Sequence, residues 1–508
     1  MLARVWSAAL VGIDAVKVGV EVDVAGGLPG IVVVGLPDAA VQESRERVKA
    51  ALKNAGYAVP MRKIVINLTP ADLRKEGPCF DLPIGIGILA ASEQVNTGLF
   101  EQTLLLGEVS LDGTLRPVAG VLAIAAAAQR LGIQKLVIPK DNVREASVVK
   151  GLQVYGFQTL TEVTDFLNQP ERYQPFQLDG SDELVRVRFQ GLDLKDVKGQ
   201  SHARRALEIA AAGGHNLIFV GPPGSGKTML ARRLPGILPQ LDFEEALEVT
   251  QIHSVAGLLK ERGSLIGDRP FRSPHHSASG PSLVGGGSFP RPGEISLAHR
   301  GILFLDELTE FKRDVLEFLR QPLEDGQVTI SRTRQSVSFP AKFTLVASTN
   351  PCPCGYFGDT IQPCTCSPRQ REQYWAKLSG PLMDRIDLQV AVNRLKPEEI
   401  TQQGSGEESV AVRQRVEIAR KLAQQRFQDA SLHCNAEMQS RHIRQWCCLN
   451  DSIRVLLENA IRKLGLSARA TDRILKVART IADLAGEEIL QAHHVAEAIQ
   501  YRTIDRMQ

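Results

Sequence analysis

Residues 221–228 read Gly221-Pro222-Pro223-Gly224-Ser225-Gly226-Lys227-Thr228 and match the phosphate-loop pattern G-x-x-x-x-G-K-[ST] at every fixed position. The apolar run 216–220 before the octapeptide is strand-like, and residues 229–234 after it can begin a helix. The glycines allow backbone N–H groups to turn toward a phosphate at the positive end of that helix. The stretch therefore predicts a nucleoside triphosphate site within an α/β domain.

A second strand carries the acidic residues that such a site needs. Residues 301–307 read Gly-Ile-Leu-Phe-Leu-Asp-Glu, an apolar run that ends in Asp306 and Glu307. We expect Lys227 to reach the β- and γ-phosphates, and the Thr228 hydroxyl and Asp306 to hold Mg²⁺. Glu307 is expected to orient and polarise the attacking water. The two motifs together predict an ATPase with ATP and Mg²⁺ as cofactors.

Two further polar residues follow or interrupt apolar segments. The strand-like run 343–350 ends in Asn350, whose side chain could contact the γ-phosphate or the water, although a strand-end Asn also serves in turns. Arg385 stands in the otherwise apolar stretch Pro-Leu-Met-Asp-Arg-Ile at 381–386. Both are candidate site residues.

Composition and charge restrict the class of protein. The 508-residue chain is 43% hydrophobic and 23% charged, as in soluble globular proteins. Its net charge is only +3, so any contact with nucleic acid must come from local patches. We find no apolar run of about 18 residues and no signal-peptide pattern at the start. The expectation is a cytoplasmic protein without a membrane partner.

The pattern along the chain predicts three domains and a linker. Residues 1–168 mix strands with helices, and residues 169–190 carry Pro, Gly and charge without periodicity, as linkers do. Residues 191–395 alternate strands and helices around the phosphate loop. Residues 396–508 are predicted to be helical, with helices at 410–427, 451–464, 467–484 and 492–502.

The order of these motifs resembles that of AAA+ ATPases, and more narrowly the Mg-chelatase-like ComM/YifB family, related to the magnesium chelatase ATPase subunit and to MCM helicases. The match extends over essentially the whole chain. The strings that carry it are Val197-Lys-Gly-Gln200, Ser273-Pro-His-His-Ser-Ala-Ser-Gly, Val284-Gly-Gly-Gly-Ser, Pro292-Gly-Glu-Ile-Ser-Leu-Ala-His, Asn350-Pro-Cys-Pro-Cys-Gly and Ala478-Arg-Thr-Ile-Ala-Asp-Leu.

The resemblance implies a multidomain α/β fold. It comprises an N-terminal ribosomal S5 domain 2-like (Lon-like) domain, an AAA+ P-loop core with a helix-2 insert, and a C-terminal α-helical lid. It also implies a homohexamer with ATP bound between subunits. Asn350 would be sensor 1, Arg385 the arginine finger, Arg469 sensor 2 with Arg473 as the alternative, and Gln200 a neighbour of the adenine.

The segment 326–339 has a hairpin pattern, with two alternating runs around a polar tip at 331–335. In related helicases this hairpin projects into the pore, and the resemblance places Arg332 at the family's basic position. Arg332 and Arg334 suit contacts to DNA phosphates; a solvated basic turn is the alternative. The insert at about 253–296 contains His275 and His276, but adjacent histidines point to different sides of most backbones, so we expect no metal there.

Four of the eight cysteines cluster as Cys352-Pro-Cys354 and Cys364-Thr-Cys366. Four thiolates on one short loop can enclose a tetrahedral Zn²⁺. An oxidised loop and four reduced thiols are the alternatives. We expect a structural zinc that stiffens the loop after Asn350.

The first domain is similar to the Lon protease domain at residues 106–120 and 75–79. That family uses a Ser–Lys dyad, whereas here Cys79 stands at the nucleophile position and Ile124 at the lysine position. Lys75 is near in sequence but does not match. Without a base nothing deprotonates the nucleophile, so we expect a non-proteolytic domain that assembles or docks the ring.

The leading functional hypothesis is an ATP-driven DNA helicase that promotes branch migration during uptake or recombination of DNA. Single-stranded or branched DNA and recombination or competence proteins would be its partners. The alternative is a chelatase-type remodelling ATPase that acts on a protein and does not translocate on DNA.

Overall fold

The computed structural model describes residues 2–177, 192–259, 265–287, 290–332, 335–395, 406–428 and 432–502, with the backbone alone at 332 and 335. The chain forms two compact units. The first comprises Met1–Arg186 and Phe243–Gly267, and the second comprises Val187–Asp242 and Asp268–Gln508. Each unit is built around its own sheet.

The first unit contains a seven-stranded mixed sheet of order β3-β4-β2-β1-β5-β8-β9 and a small antiparallel pair, β6–β7. The strands β1 and β2 pair antiparallel over the whole length of β1, and the strands β5, β8 and β9 are parallel. The strands are β1 Leu2–Val11, β2 Asp14–Ala25, β3 Gly30–Val34, β4 Lys63–Thr69, β5 Thr103–Leu105, β6 Glu108–Val109, β7 Leu115–Arg116, β8 Lys135–Pro139 and β9 Gln153–Phe157.

Five helices belong to the N-terminal part of this unit: α1 Ala39–Asn54, α2 Asp81–Ala91, α3 Val121–Arg130, α4 Val143–Ser147 and α5 Leu160–Asn168. Helix α1 begins where the Asp38 carboxylate accepts the Val41 N–H at 2.7 Å, which satisfies a donor that the helix itself leaves free. Helix α2 is buried along its entire length because it is apolar on every side. It packs against β1 and β2 and forms the centre of the first core.

The second unit contains a five-stranded parallel sheet of order β11-β14-β17-β10-β18. Parallel strands covered on both faces are apolar throughout, as β10 and β14 are. The carboxyl ends of β10, β14 and β17 therefore meet at one edge, where such sheets bind ligands. The strands are β10 Leu217–Val220, β11 Phe271–Arg272, β12 Gly285–Gly286, β13 Arg291–Pro292, β14 Ile302–Leu305, β15 Gln327–Arg332, β16 Gln335–Pro340, β17 Thr344–Thr349 and β18 Leu388–Ala391.

The later helices are α6 Ser201–Gly213, α7 Lys227–Ala231, α8 Leu234–Ile237, α9 Phe243–Val255, α10 Gly280–Val284, α11 Glu294–Leu297, α12 Arg313–Glu317, α13 Arg320–Asp325, α14 Pro368–Trp375, α15 Gly380–Met383, α16 Ser409–Arg426, α17 Ser440–Trp446, α18 Asp451–Leu464, α19 Ala468–Ala485 and α20 Ala492–Gln500. Helix α9 belongs to the first unit, where it packs against α3. The four helices predicted for the C-terminal segment are confirmed to within two residues at each end, whereas α17 was not predicted. Among the described helices, none is long and apolar enough to cross a bilayer.

A buried carboxylate connects the parallel sheet of the second unit to helix α19. Asp387, immediately before β18, accepts the Asn216 N–H at 3.0 Å and pairs with Arg473 of α19. The His215 ring nitrogen Nδ1 lies 3.4 Å from the same carboxylate. Burial would raise the pKa of Asp387, but Arg473 and His215 together hold it below its usual range. The carboxylate is therefore charged and orders the contact between sheet and helix.

Candidate active site

The phosphate loop joins β10 to α7 and is shaped by its glycines. Gly226 has φ 92°, in the left-handed region that favours glycine, directly before the first residue of α7. A side chain at Gly221 would begin 2.0 Å from the Val392 carbonyl oxygen, so only glycine allows β10 to end this close to the chain that follows β18. The loop thus places backbone N–H groups at a helix N-terminus, as anion binding requires.

Lys227 lies across the mouth of this loop. Its Nζ donates to the Gly221 oxygen at 2.7 Å, the Pro222 oxygen at 2.9 Å and Asn350 Oδ1 at 3.2 Å. Burial lowers the pKa of Lys227, and the carboxylates of Asp306 and Glu307 oppose that shift. The contact with Asn350 joins the loop to the carboxyl end of β17, so an anion held by Lys227 would also lie beside the Asn350 amide.

A hydroxyl and a carboxylate face each other beside the lysine. Thr228 Oγ1 donates to Asp306 Oδ2 at 2.8 Å, and the buried Ser348 hydroxyl donates to the other Asp306 oxygen. Hydroxyl and carboxylate oxygens are the ligands that Mg²⁺ prefers, usually together with waters and substrate phosphates. The pair therefore fits Mg²⁺ bound with a nucleotide. The sequence did not identify Ser348 as a site residue, because nothing in the pattern of β17 indicates that this hydroxyl faces Asp306.

Glu307 is exposed and adopts a strained backbone conformation, with φ 53°. Strain of this kind accumulates at functional sites. Its Oε2 lies 3.4 Å from His276 Nδ1, whose ring meets Phe311 edge-on. The neighbouring His275 instead contacts the Ser277 hydroxyl at 2.8 Å. The two histidines therefore serve different partners, and sequence reasoning missed the contact of His276 with Glu307.

The remaining predicted site residues form their described contacts with other partners. Arg385 pairs with Glu324 and donates to the Pro381 oxygen at 2.8 Å, and Gln200 donates to the Asn393 oxygen at 2.6 Å. Arg469 is exposed in the first turn of α19, whereas Arg473 is occupied by Asp387. Within the described part of the chain, no hydrogen bond or ion pair connects Gln200, Arg385 or Arg469 to Lys227, Thr228, Asp306, Glu307 or Asn350.

The predicted hairpin is present between α13 and β17. Strands β15 and β16 pair antiparallel from Gln327↔Pro340 to Arg332↔Gln335. One apolar face is buried, through Val328, Ile330, Val337 and Phe339. The predicted DNA contacts at the tip are the Arg332 side chain and Arg334, and both lie outside the described residues.

The four clustered cysteines converge after β17. Cys352 Sγ lies 3.3 Å from Cys354 Sγ and 3.7 Å from Cys364 Sγ, and Cys354 and Cys364 are 3.6 Å apart. All four sulfurs, including that of Cys366, lie within 4.8 Å of one another. A disulfide needs a separation of about 2.05 Å, so none of these distances is a bond. Four thiolates about 2.3 Å from a zinc ion would be ~3.8 Å apart, close to the observed spacing.

A second group, Glu487, His493 and His494, also has metal-ligand spacing. His494 Nδ1 accepts the Gln491 N–H at 3.1 Å, which places the proton of a neutral ring on Nε2. That protonated Nε2 lies 3.8 Å from a Glu487 carboxylate oxygen, too far for a hydrogen bond, and a protonated nitrogen does not ligate a metal. His494 therefore serves to cap the N-terminus of α20.

In the first unit, the positions that match the Ser–Lys dyad of the Lon family hold Cys79 and Ile124. Burial raises the pKa of the Cys79 thiol to about 12, which leaves it protonated and unreactive. Ile124 is buried in α3, and Lys75 donates to the Pro70 carbonyl.

Family models and known relatives cover nearly the whole chain. Models of magnesium chelatase subunit ChlI match residues 193–400 and 20–142, and the model of its C-terminal region matches residues 406–502. The competence protein ComM of Haemophilus influenzae is 47% identical over 515 residues, covering 100% of this chain and 98% of that protein. The chain belongs to the ComM/YifB-type Mg-chelatase-like AAA+ family.

YifB of Escherichia coli is 45% identical over 510 residues, with 100% of this chain and 98% of that protein covered. Lon protease 2 of Bacillus subtilis is 28% identical over 145 residues, which cover 28% of this chain and 26% of that protein. Membership of the Mg-chelatase-like AAA+ family makes this chain an ATPase of the type that uses ATP and Mg²⁺. The fold class is thereby confirmed, with a Lon/ChlI-like α/β domain, an AAA+ core and C-terminal helices.

Proposed function

We propose that this protein is a hexameric ATP-driven DNA motor of the helicase and branch-migration type. The observation that carries the proposal is the position of the β15–β16 hairpin, which leaves the catalytic sheet between the two strands that end at Asp306 and Asn350. The hairpin follows Asp306 through α12 and α13 and enters the amino end of β17, so a movement of these elements with the nucleotide state would reach the hairpin along the chain. The competence role in the name of the ComM relative supports DNA as the substrate.

Hydrolysis is assigned to the five residues that the sheet edge brings together. Lys227 binds the terminal phosphates, and Thr228 and Asp306 hold Mg²⁺, which neutralises phosphate charge when bound. Glu307 removes or orients the proton of the attacking water. Asn350, already in contact with Lys227, positions the γ-phosphate or that water.

Three further residues complete the proposed ATP site. We assign Arg385 as a finger that reaches the neighbouring subunit's γ-phosphate, Arg469 as sensor 2 and Gln200 as a residue beside the adenine. Among the described residues, Arg385 has no hydrogen bond or ion pair with Lys227 of its own chain, which supports its action in trans. An arginine supplied in trans contributes roughly 10³–10⁵ in rate in other phosphoryl-transfer enzymes, which explains why hydrolysis would depend on ring assembly.

Arg332 and Arg334 at the hairpin tip are assigned to contacts with phosphates of single-stranded or branched DNA. Phosphate contacts of this kind supply affinity without sequence preference and weaken with salt. The motor would act in the cytoplasm on DNA that recombination or competence proteins deliver.

We assign a structural Zn²⁺ to Cys352, Cys354, Cys364 and Cys366. The sulfur spacing supports four-thiolate coordination, and the loop lies directly beside the nucleotide site. A side chain at Gly355 would begin 2.8 Å from Pro223 of the phosphate loop, and Trp375 Nε1 donates to the Pro351 oxygen at 3.1 Å. Zinc would hold this loop against Pro223 and so maintain the position of Asn350.

The N-terminal segment, 1–168, is proposed to be a non-proteolytic assembly or docking domain, followed by the linker 169–190, the AAA+ core 191–395 and the lid 396–508. The raised pKa of Cys79 and the hydrocarbon side chain at 124 support the loss of peptidase activity.

A chelatase-type remodelling ATPase is the second candidate, because all three matching family models describe the magnesium chelatase subunit. Such an enzyme would act on a protein partner and ignore DNA. The deciding experiment measures ATP turnover without DNA, with single-stranded DNA and with a branched junction, using Glu307→Gln as the inactive control. Stimulation by DNA supports the motor, and turnover that DNA does not change supports the remodelling ATPase.

A further inference from the structure

The arginine proposed to act on a neighbouring subunit is engaged within its own chain. The Arg385 guanidinium forms an ion pair with Glu324, and a second nitrogen donates to the Pro381 oxygen at 2.8 Å. Only 11% of the Arg385 side chain is exposed, against 60% for Glu324. To reach a phosphate on another subunit, this guanidinium must leave Glu324 or share it.

Glu324 lies at the base of the β15–β16 hairpin. It is in the last turn of α13, two residues before Gly326, which ends that helix with φ 65°. The Gly326 N–H donates to the Pro322 oxygen at 2.9 Å, and its carbonyl accepts the Ala341 N–H at 2.8 Å. These bonds tie α13 to both strands of the hairpin, so a displacement of the hairpin moves Glu324 with it.

We infer that Glu324 is a positioning residue that restrains Arg385 until DNA displaces the hairpin. This inference rests on the proposed function, in which Arg385 acts in trans and the hairpin contacts DNA. DNA at the tip shifts the hairpin base, Glu324 withdraws from Arg385, and the freed guanidinium turns to the neighbouring γ-phosphate. DNA binding in one subunit thereby accelerates hydrolysis at the adjacent site.

The Glu324 carboxylate is largely exposed to water, which weakens the ion pair, limits the expected effect and makes it reversible. A triphosphate carries several negative charges and competes successfully with a single exposed carboxylate. We expect Glu324→Gln to raise the DNA-independent kcat about two- to five-fold, the range that an exposed ion pair supplies. The KM for ATP should not change, because Lys227, Thr228 and Asp306 are untouched.

The test compares steady-state ATP turnover of the full chain for wild type, Glu324→Gln and Glu317→Gln, with and without single-stranded DNA. Glu317 is a matched control, because it pairs with Arg320 in the same region and does not contact Arg385. A raised DNA-independent kcat in Glu324→Gln alone, with proportionally smaller stimulation by DNA, supports the inference. Loss of this gain in the double variant Glu324→Gln/Arg385→Ala supports it further.

Equal DNA-independent rates in wild type and Glu324→Gln would overturn the restraint, and so would a lower rate with an unchanged melting temperature. The two proposals fail in different ways. If DNA does not stimulate the wild type but Glu324→Gln still raises turnover through Arg385, the restraint stands and the DNA motor does not.

Discussion

The buried Asp387 carboxylate gives a stability prediction whose size follows from its contacts. In Asp387→Asn the side chain keeps its shape and can still accept the Asn216 N–H, but the charge opposite Arg473 is lost. Removing one partner of a buried ion pair costs about 3–5 kcal/mol. Because 22% of the Arg473 side chain is exposed, water compensates in part, and we expect about 2–3 kcal/mol.

For a unit of this size that loss corresponds to a fall in melting temperature of roughly 4–8 °C. Differential scanning fluorimetry of wild type, Asp387→Asn and the control Asp472→Asn measures it. Asp472 accepts one exposed hydrogen bond from Ser440, so the control should melt within about 1 °C of wild type. If Asp387→Asn and Asp472→Asn had the same melting temperature, the stabilising role assigned to the Asp387 charge would be refuted.

Asp387 also determines how the difference in melting temperature between wild type and Asp387→Asn depends on pH. The fold lowers the pKa of Asp387, so its stabilisation is fully present above the unfolded pKa of about 3.9 and is lost as pH falls through the lower folded value. The melting difference between wild type and Asp387→Asn should therefore be constant from about pH 5 to 8 and shrink only below about pH 4. A difference in melting temperature that shrinks between pH 8 and 5 would contradict the assignment of the effect to the Asp387 carboxylate.

Three further predictions concern chemistry. Glu307→Gln should lower the kcat for ATP hydrolysis at least ~10²-fold but still bind a fluorescent ATP analogue, whereas Lys227→Ala should abolish that binding. If Glu307→Gln retains turnover, the carboxylate does not have its assigned role. Elemental analysis of the purified protein should find about one zinc per chain. Removal of the metal by a chelator and the substitution Cys364→Ser should each lower the melting temperature. Protein that contains no metal and melts at the same temperature with and without chelator would exclude the zinc site. Casein hydrolysis should be undetectable in both wild type and Cys79→Ser. Any Cys79-dependent cleavage would contradict the protonated thiol.

The features that the sequence predicted correctly are those encoded locally. The phosphate loop and the strand that ends at Asp306 are continuous patterns with flanking strands or helices, so each could be placed without knowledge of the other. Their proximity then followed from the rule that parallel strands meet at their carboxyl ends. The presence of the hairpin also followed from alternation within one short segment, although the strands pair as far as Arg332↔Gln335, inside the predicted tip at 331–335.

The features that the sequence did not predict depend on contacts between distant segments. Nothing near His276 or Glu324 indicates a partner in Glu307 or Arg385, because each pair is joined only by the fold. The sequence also did not predict that α9 belongs to the first unit, because α9 lies in the sequence between the phosphate loop and the insert, both of which were assigned to the AAA+ core. Helix α17 is short and weakly periodic, and its N-terminus is capped by the side chains of Gln439 and His442, residue types that seldom signal a helix start.

Movement of a DNA branch point tests the central claim most directly. The wild-type protein and Glu307→Gln would each be incubated with ATP and a mobile four-way junction carrying one labelled arm, and the products separated by native electrophoresis. Our account predicts that wild type converts the junction to forked products in an ATP-dependent manner and that Glu307→Gln does not. Wild-type protein that hydrolyses ATP but leaves every junction intact would contradict the motor.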